Sequence, residues 1–253
     1  MSDDIKLDAL AIGAHPDDVE LGCGGTVALL AKRGLKVGIV HLTSGERGTR
    51  GTPEERRSEA ASAAEILGVV ALEFLDFGDG ALRTGYAEEE ELIAVLRRYR
   101  PEVIFGPAPT DRHPDHGRAN ALVQAVSFYS GLAGRGPAGS GDPHRPAAVF
   151  SYMQNDSFEP RFIVDVTSVW EIKLASLAAY GSQIFRPGSE GRESDAARPE
   201  PVTKVSTPDF YRAMEGRARH FGNEISATFG EPFWCAKPLA VHDPMAILSR
   251  GVR

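Results

Sequence analysis

Along the first half of this chain, short apolar runs alternate with stretches whose apolar residues recur at helical spacing. Residues 7–14, LDALAIGA, form the first run and end near glycine, which predicts a buried strand. TVALLAKRG then has helical spacing and stops at Gly34. KVGIVHLT (36–43) predicts a second strand, followed by the polar, glycine-rich loop SGERGTRG at 44–51. The next helix carries its own start signals: Thr52 as cap, Pro53 in the first turn, and Glu55 completing a capping box. It ends at Gly68. VVALEFLDF predicts strand three, AEEEELIAVLRRYR a helix with acids first and bases last, PEVIFGP strand four, and GRANALVQAVSFYSGL a further helix.

Strands alternating with helices imply parallel pairing. The expected fold is therefore an α/β, doubly wound, mostly parallel, Rossmann-like sheet with helices on both faces and the active site at its carboxyl edge. Past Gly131 the pattern loosens into a Gly/Pro-rich loop at 131–146, two more strands (AAVFSYM and RFIVDVT), a helix in SVWEIKLASLAAYGSQIF, a long polar loop at 186–208, a last helix near 209–222 and an irregular tail. A loop of that length is expected to be mobile or functional. With no repeat or linker, residues 1–253 are expected to form one domain.

Composition narrows the function classes. The chain has 253 residues, 42% hydrophobic, with a formal net charge of -7. An acidic protein is a poor partner for nucleic acid, whose affinity comes from Lys and Arg on phosphates. No apolar stretch reaches membrane-span length and the N-terminus lacks a signal-peptide pattern, so no membrane association is expected. Two cysteines, Cys23 and Cys235, are no disulfide framework. A reducing, cytoplasmic setting is expected.

The chemistry sits in two turns. GAHPDDVELGCGG begins straight after strand one, and DRHPDHGR, at 111–118, straight after strand four. In a parallel sheet both turns leave from the same edge, bringing three of the seven histidines (His15, His113, His116) together with Asp17, Asp18 and Asp115 to one crevice. An aspartate between strand and helix is commonly only a cap, but two such turns on one edge concentrate ionisable groups that need a metal or partner. His15 and Asp18, three residues apart, share a face in a helical turn. With His116 they supply two imidazoles and a carboxylate, the donor set of catalytic zinc with its open position. Asp17, beside a ligand but aimed elsewhere, suits a general base. His113 suits an oxyanion donor, with Asp115 placed to hold its ring and favour the imidazolium. Together they fit metal-assisted hydrolysis of an acyl group. GCGG lacks the G-x-G-x-x-G spacing of dinucleotide sites, and its glycines let a helix start pack closely. Cys23 reads as a small buried residue, and His41, His144, His220 and His242 as structural.

AHPDD after the first strand with HPDH about a hundred residues on resembles the zinc-dependent N-acetylglucosaminyl deacetylase family, the PIG-L or LmbE-like proteins. RHPDHGRANAL, SYMQN, FIVDVTSVWEIKLASLAAYGSQIF and EPF resemble one branch in particular, the bacillithiol-biosynthesis deacetylases acting on N-acetylglucosaminyl-malate. The resemblance implies His15, Asp18 and His116 as Zn2+ ligands, with Fe2+ as an alternative in cells. It implies Asp17 as base and then acid to the leaving amine, His113 as a charged oxyanion stabiliser, and Arg56 as a substrate contact. It also implies a homo-oligomer, up to a hexamer, acting on a small-molecule substrate. Some relatives carry a tyrosine upstream of the second motif, where this chain has Asp111 and Arg112. Others use one from the late loop, where Phe210 and Tyr211 are adjacent and either register fits. A malate aglycone needs cations near the metal, and Arg56, Arg47, Arg50 and Arg112 are the candidates.

Two His and one carboxylate also describe the facial triad of a non-haem iron oxygenase. The second carboxylate, Asp17, favours hydrolysis, and oxygen dependence separates the two. A non-catalytic metal-binding protein would need the ligands but neither Asp17 nor His113.

Overall fold

In the computed structural model, which describes residues 5–185 and 201–241, the apolar runs become strands and the periodic stretches helices. Strand β1 (Ala9–Gly13) and β2 (Val37–His41) are buried at every position. This is the signature of central parallel strands covered on both faces. β3 (Ala71–Phe74), β4 (Val103–Gly106), β5 (Ala148–Tyr152), β6 (Phe162–Asp165) and β7 (Gly230–Trp234) complete one sheet of order β3-β2-β1-β4-β5-β7-β6. The pairs β1–β2, β1–β4, β2–β3 and β4–β5 are parallel. β7 runs antiparallel to both β5 and β6. The expected doubly wound α/β fold is thus present. β7 falls in the stretch expected to be irregular; Pro232 and its brevity hide it from a propensity reading.

Six α-helices are described: α1 (Asp18–Lys32), α2 (Pro53–Leu67), α3 (Tyr86–Tyr99), α4 (Pro114–Tyr129), α5 (Trp170–Ala179) and α6 (Pro208–Glu224). One core joins β1 and β2 residues to α1, α2, α5 and α6. A second joins the other side of the sheet to α3 and α4. The capping box forms as read: Thr52 Oγ1 accepts from the Glu55 amide at 3.1 Å, and Glu55 Oε2 from the Thr52 amide at 2.8 Å. Residues 186–200 of the expected polar loop, and His242 in the tail, lie outside the described residues. No helix among the described residues is long and apolar enough to cross a membrane.

α1 begins eight residues earlier than its apolar pattern suggests, because GCGG is helical but for a kink at Cys23 (φ -144°, ψ 20°). Cys23 itself is buried. A Cβ on Gly22 would lie 2.2 Å from the Tyr152 ring, and one on Gly25 2.8 Å from Val166, so the glycines admit this close packing. The kink frees amides that a distant residue then satisfies. Glu231 accepts from Gly25 N at 2.8 Å, Thr26 N at 2.7 Å and Thr26 Oγ1 at 2.6 Å. Its charge is matched by the buried Lys173, whose Nζ lies 2.5 Å from Glu231 Oε1 and donates to Leu21 O at 3.0 Å. This network fixes the helix that carries Asp17 and Asp18 at its start. Breaking a buried pair strands the partner charge, so Lys173→Met is expected to cost about 3–5 kcal/mol of stability. Urea unfolding measures it, and a loss below about 1 kcal/mol would show that solvent reaches the pair.

Candidate active site

β1 and β4 are neighbours in the sheet, so the two His/Asp turns leave from adjacent strands at the point where the strand order reverses. The chain passes from Gly13 into His15, turns at Asp17 and enters α1 at Asp18. Asp17 adopts φ 93°, a left-handed conformation that favours glycine and that Asp and Asn tolerate better than other residues, and its side chain makes no cap hydrogen bond. It is therefore not the helix cap that its position would suggest. It lines a cavity of about 300 Å³ together with His15, Asp18, Arg56, His113 and His116.

The three imidazoles converge there. Ring nitrogens of His15, His113 and His116 come within 4.8 Å of one another. The Asp18 carboxylate reaches both motifs: Oδ2 lies 3.5 Å from His15 Nδ1, and Oδ1 lies 3.2 Å from His116 Nε2. Asp18 is itself held by the His15 amide at 2.8 Å and by Gln154 Nε2 at 2.6 Å. The outward nitrogens of the same rings meet other carboxylates. His116 Nδ1 is 2.8 Å from Asp111 Oδ1. His15 Nε2 lies 3.1 Å from Asp79 Oδ1 and 3.5 Å from Asp115 Oδ2. The Asp111 carboxylate behind His116 fixes its tautomer and makes it a better metal ligand, while His15 Nε2 stands within ion-pair distance of two carboxylates without a hydrogen bond to either.

The electrostatics ask for a cation. Burial opposes charge on Asp18, yet the His116 and His15 rings hold its carboxyl well below the ordinary range. Burial likewise works against protonation of His116, but Asp18 and Asp111 outweigh it and raise the ring to about 9. The same balance, with Asp115, Asp18 and Asp79, raises His15 well above its usual value. Two buried histidines thus take up protons to satisfy surrounding carboxylates, and a divalent metal bound by His15, Asp18 and His116 would replace those protons. The donor set fits a metal. Burial pushes the Asp17 carboxyl upward, against the pull of Arg56.

Asp115 is not where it was expected. Its carboxylate accepts from the amides of Gly80 at 2.8 Å and Leu82 at 3.1 Å and from Arg118 at 2.9 Å, on the side of His15. Only its backbone amide reaches His113, donating to Nδ1 at 3.3 Å. Helix geometry explains this: His113 is the N-cap of α4, so the cap bond takes the Asp115 amide while the side chain turns away. His113 is consequently not held as an imidazolium. Burial and then the positive neighbours His15 and His116 lower its pKa. With Nδ1 accepting from the Asp115 amide, Nε2 is the nitrogen through which His113 can donate.

Among the expected substrate arginines, Arg47, Arg56 and Arg112 all line the cavity. Arg56 is buried and donates to Gly45 O at 3.1 Å and Pro16 O at 2.8 Å, with Asp17 3.8 Å away. It braces the turn that carries Asp17, as well as facing the cavity. Glu59, three residues on along α2, accepts from Ser182 and does not pair with Arg56. Arg50 donates to Ser182 O at 2.7 Å. Phe210 lines the cavity, while Tyr211 does not and packs near Phe185.

Three site residues were not singled out from the sequence. Asp79 follows strand three on the same edge, in a Gly-Asp-Gly turn. Asp111 precedes the second motif and also accepts from Asn155 N at 2.8 Å and His113 N at 3.0 Å. Gln154 lies in SYMQN, noticed only as a likeness. Edge position after a strand was a usable signal for the first two; nothing local marks Gln154.

Comparison with known proteins bears on this arrangement. The family model described as "PIG-L: GlcNAc-PI de-N-acetylase" matches residues 10–127, which span both turns. The chain is 37% identical over 199 residues, 71% of each chain, to the diacetylchitobiose deacetylase of Thermococcus kodakarensis. It is 30% identical to the 4-oxalmesaconate hydratase of Pseudomonas putida, over 69% of this chain and 73% of that one. It is 28% identical to the probable N-acetyl-alpha-D-glucosaminyl L-malate deacetylase 2 of Bacillus cereus, over 69% and 82%. In structure it is similar to the conserved protein TT1542 from Thermus thermophilus, with TM-score 0.82 and 36% identity over 94% of this chain and 98% of that one.

Proposed function

The chain belongs to the PIG-L family of de-N-acetylases, and from that premise we propose that it is a metal-dependent deacetylase of an N-acetylglucosamine conjugate, with N-acetylglucosaminyl-malate as its substrate. The observation that carries this reading is the meeting of His15, Asp18 and His116 in one cavity with a second carboxylate, Asp17, that caps nothing.

His15, Asp18 and His116 would hold the metal, zinc in this reading, with Fe2+ able to use the same ligands. When bound it supplies a Lewis acid and lowers the pKa of an attacking water. Asp17 takes the proton from that water as its oxygen bonds to the acetyl carbon. Asp17 then returns the proton to the nitrogen as the C–N bond breaks, releasing acetate and the amine. His113 donates its Nε2 proton in a hydrogen bond to the developing oxyanion. Asp111, Asp79 and Asp115 hold the ligand rings, so Asp115 acts through His15 and not through His113. Arg56 keeps the Asp17 turn in place and presents positive charge to the substrate, with Arg47 and Arg112 at the rim.

His113→Ala removes the proposed oxyanion donor and keeps His15, Asp18 and His116. It is expected to lower kcat by on the order of 10²-fold or more, with KM little changed. Steady-state kinetics on the wild type and variant measure this; a change confined to KM would contradict the role.

The overall reading is tested by amine release from N-acetylglucosaminyl-malate, N,N'-diacetylchitobiose and methyl N-acetylglucosaminide, side by side. Preference for the first supports the malate assignment, and preference for another moves the substrate within the class. Hydration of 4-oxalmesaconate with no amine release from any of the three would replace deacetylation with the reaction named for the Pseudomonas putida relative. Oxygen consumption would point instead to an iron oxygenase.

A further inference from the structure

A second cavity, about 820 Å³ in volume, opens beside the catalytic one and shares Gln154, Asn155, Phe210 and Arg217 with it. The catalytic cavity, at 300 Å³, is at the lower end of small-molecule sites, which run from about 300 to 1,000 Å³. It has room for the sugar and its acetamido group, and the second cavity, through the four shared residues, offers adjoining space for what the sugar is joined to. That cavity lies between the segment after β5 and helix α6, with Phe158, Pro160, Phe210, Met214 and Phe221 on its walls.

Arg217 stands at the junction. It is half-buried, donates to Gln154 O, and among the described residues has no carboxylate within ion-pair distance. The contrast with Arg56 is direct, since that side chain already donates to two carbonyls. Of the groove's acids, Asp209 pairs with Arg212 at 3.0 Å, Glu224 lies 3.2 Å from His220, and Glu159 also lines the wall. A guanidinium with most of its donors free, at the neck between a sugar-sized cavity and an apolar groove, matches a carboxylate beside the glycosidic oxygen.

We propose that this groove is the aglycone subsite, that its apolar walls take the carbon skeleton of the aglycone, and that Arg217 reads a carboxylate carried next to the glycosidic bond, as malate would present it. The inference rests on the glucosaminide reading above and adds where, and by which residue, the aglycone is recognised.

Binding of deacetylated ligands tests it without turnover. Calorimetry on the metal-loaded protein would compare methyl, phenyl and 2-carboxyphenyl glucosaminides of one anomer. In the wild type, phenyl is expected to bind about fivefold or more tighter than methyl, by ring burial in the groove. The 2-carboxyphenyl compound should gain about tenfold or more over phenyl, from a charge-assisted pair. Arg217→Met should abolish the second gain and keep the first. Ala213→Trp fills the groove from an exposed position on α6 and should abolish the first gain while methyl binding is unchanged. A carboxylate gain that survives Arg217→Met overturns the role of Arg217. Equal binding of methyl and phenyl, or no binding of any ligand, overturns the subsite. The deacetylase reading fails separately: intact binding with no amine release from the N-acetylated methyl compound would remove the activity and leave the subsite standing.

Discussion

His116→Ala is expected to strip the bound metal and almost all turnover with it. His116 Nε2 faces Asp18 across 3.2 Å, and its Nδ1 is held by Asp111 at 2.8 Å. Asp111 therefore holds the ring with Nε2 toward Asp18, where the proposed metal would sit. A site with three protein ligands loses a third of them in this variant, and alanine leaves Asp18 and Asp111 facing each other without the imidazole between them. Removing the supporting carboxylate alone, as in Asp111→Asn, is expected to cost about 10- to 100-fold in metal affinity. Removing the ligand should cost more. Elemental analysis after gel filtration should find about one equivalent of metal in the wild type and little in the variant. Chelation of the wild type should reproduce the loss of turnover, and added Zn2+ should restore it. Full metal retention in His116→Ala would remove this residue from the ligand set.

The second large effect is expected at Asp17. Asp17→Asn preserves shape, and asparagine tolerates the left-handed backbone at φ 93° as aspartate does, so the turn should survive. What is lost is the ability to accept a proton. General base catalysis is typically worth about 10² to 10⁴ in rate, and kcat should fall within that range. Metal content should stay at the wild-type level, because Asp17 faces the cavity beside the ligands and Arg56 still braces the turn through Gly45 and Pro16. Retained metal with lost turnover is the combination that separates a base from a ligand. Near-normal kcat would leave Asp17 with no chemical role. Loss of metal as well would make it a ligand in its own right.

The amino-acid sequence by itself determined most of the elements and both motif turns. Apolar runs and helical spacing are local properties, and so are caps. The Thr52–Glu55 box, the strand before His15 and the strand before the second motif could all be read within a few residues. Even the carboxyl-edge placement of the site followed from β/α alternation alone. What only the tertiary structure decided depends on partners far apart along the chain. That β1 and β4 are neighbours, placing His15 and His116 in one cavity, is a matter of strand order. Gln154 meets Asp18 across 136 positions, and Glu231 caps the kinked α1 across 206. β7 pairs antiparallel within a sheet that alternation had suggested would be parallel. Asp115 turned toward His15, because the cap of α4 claimed its amide for His113. Arg56 directed two of its donors to carbonyls, and Arg217, about a hundred positions beyond His116 on α6, came to the neck of the site. Short-range patterns record hydrogen bonding and periodicity along the backbone; long-range pairs are settled by packing, which no local window contains.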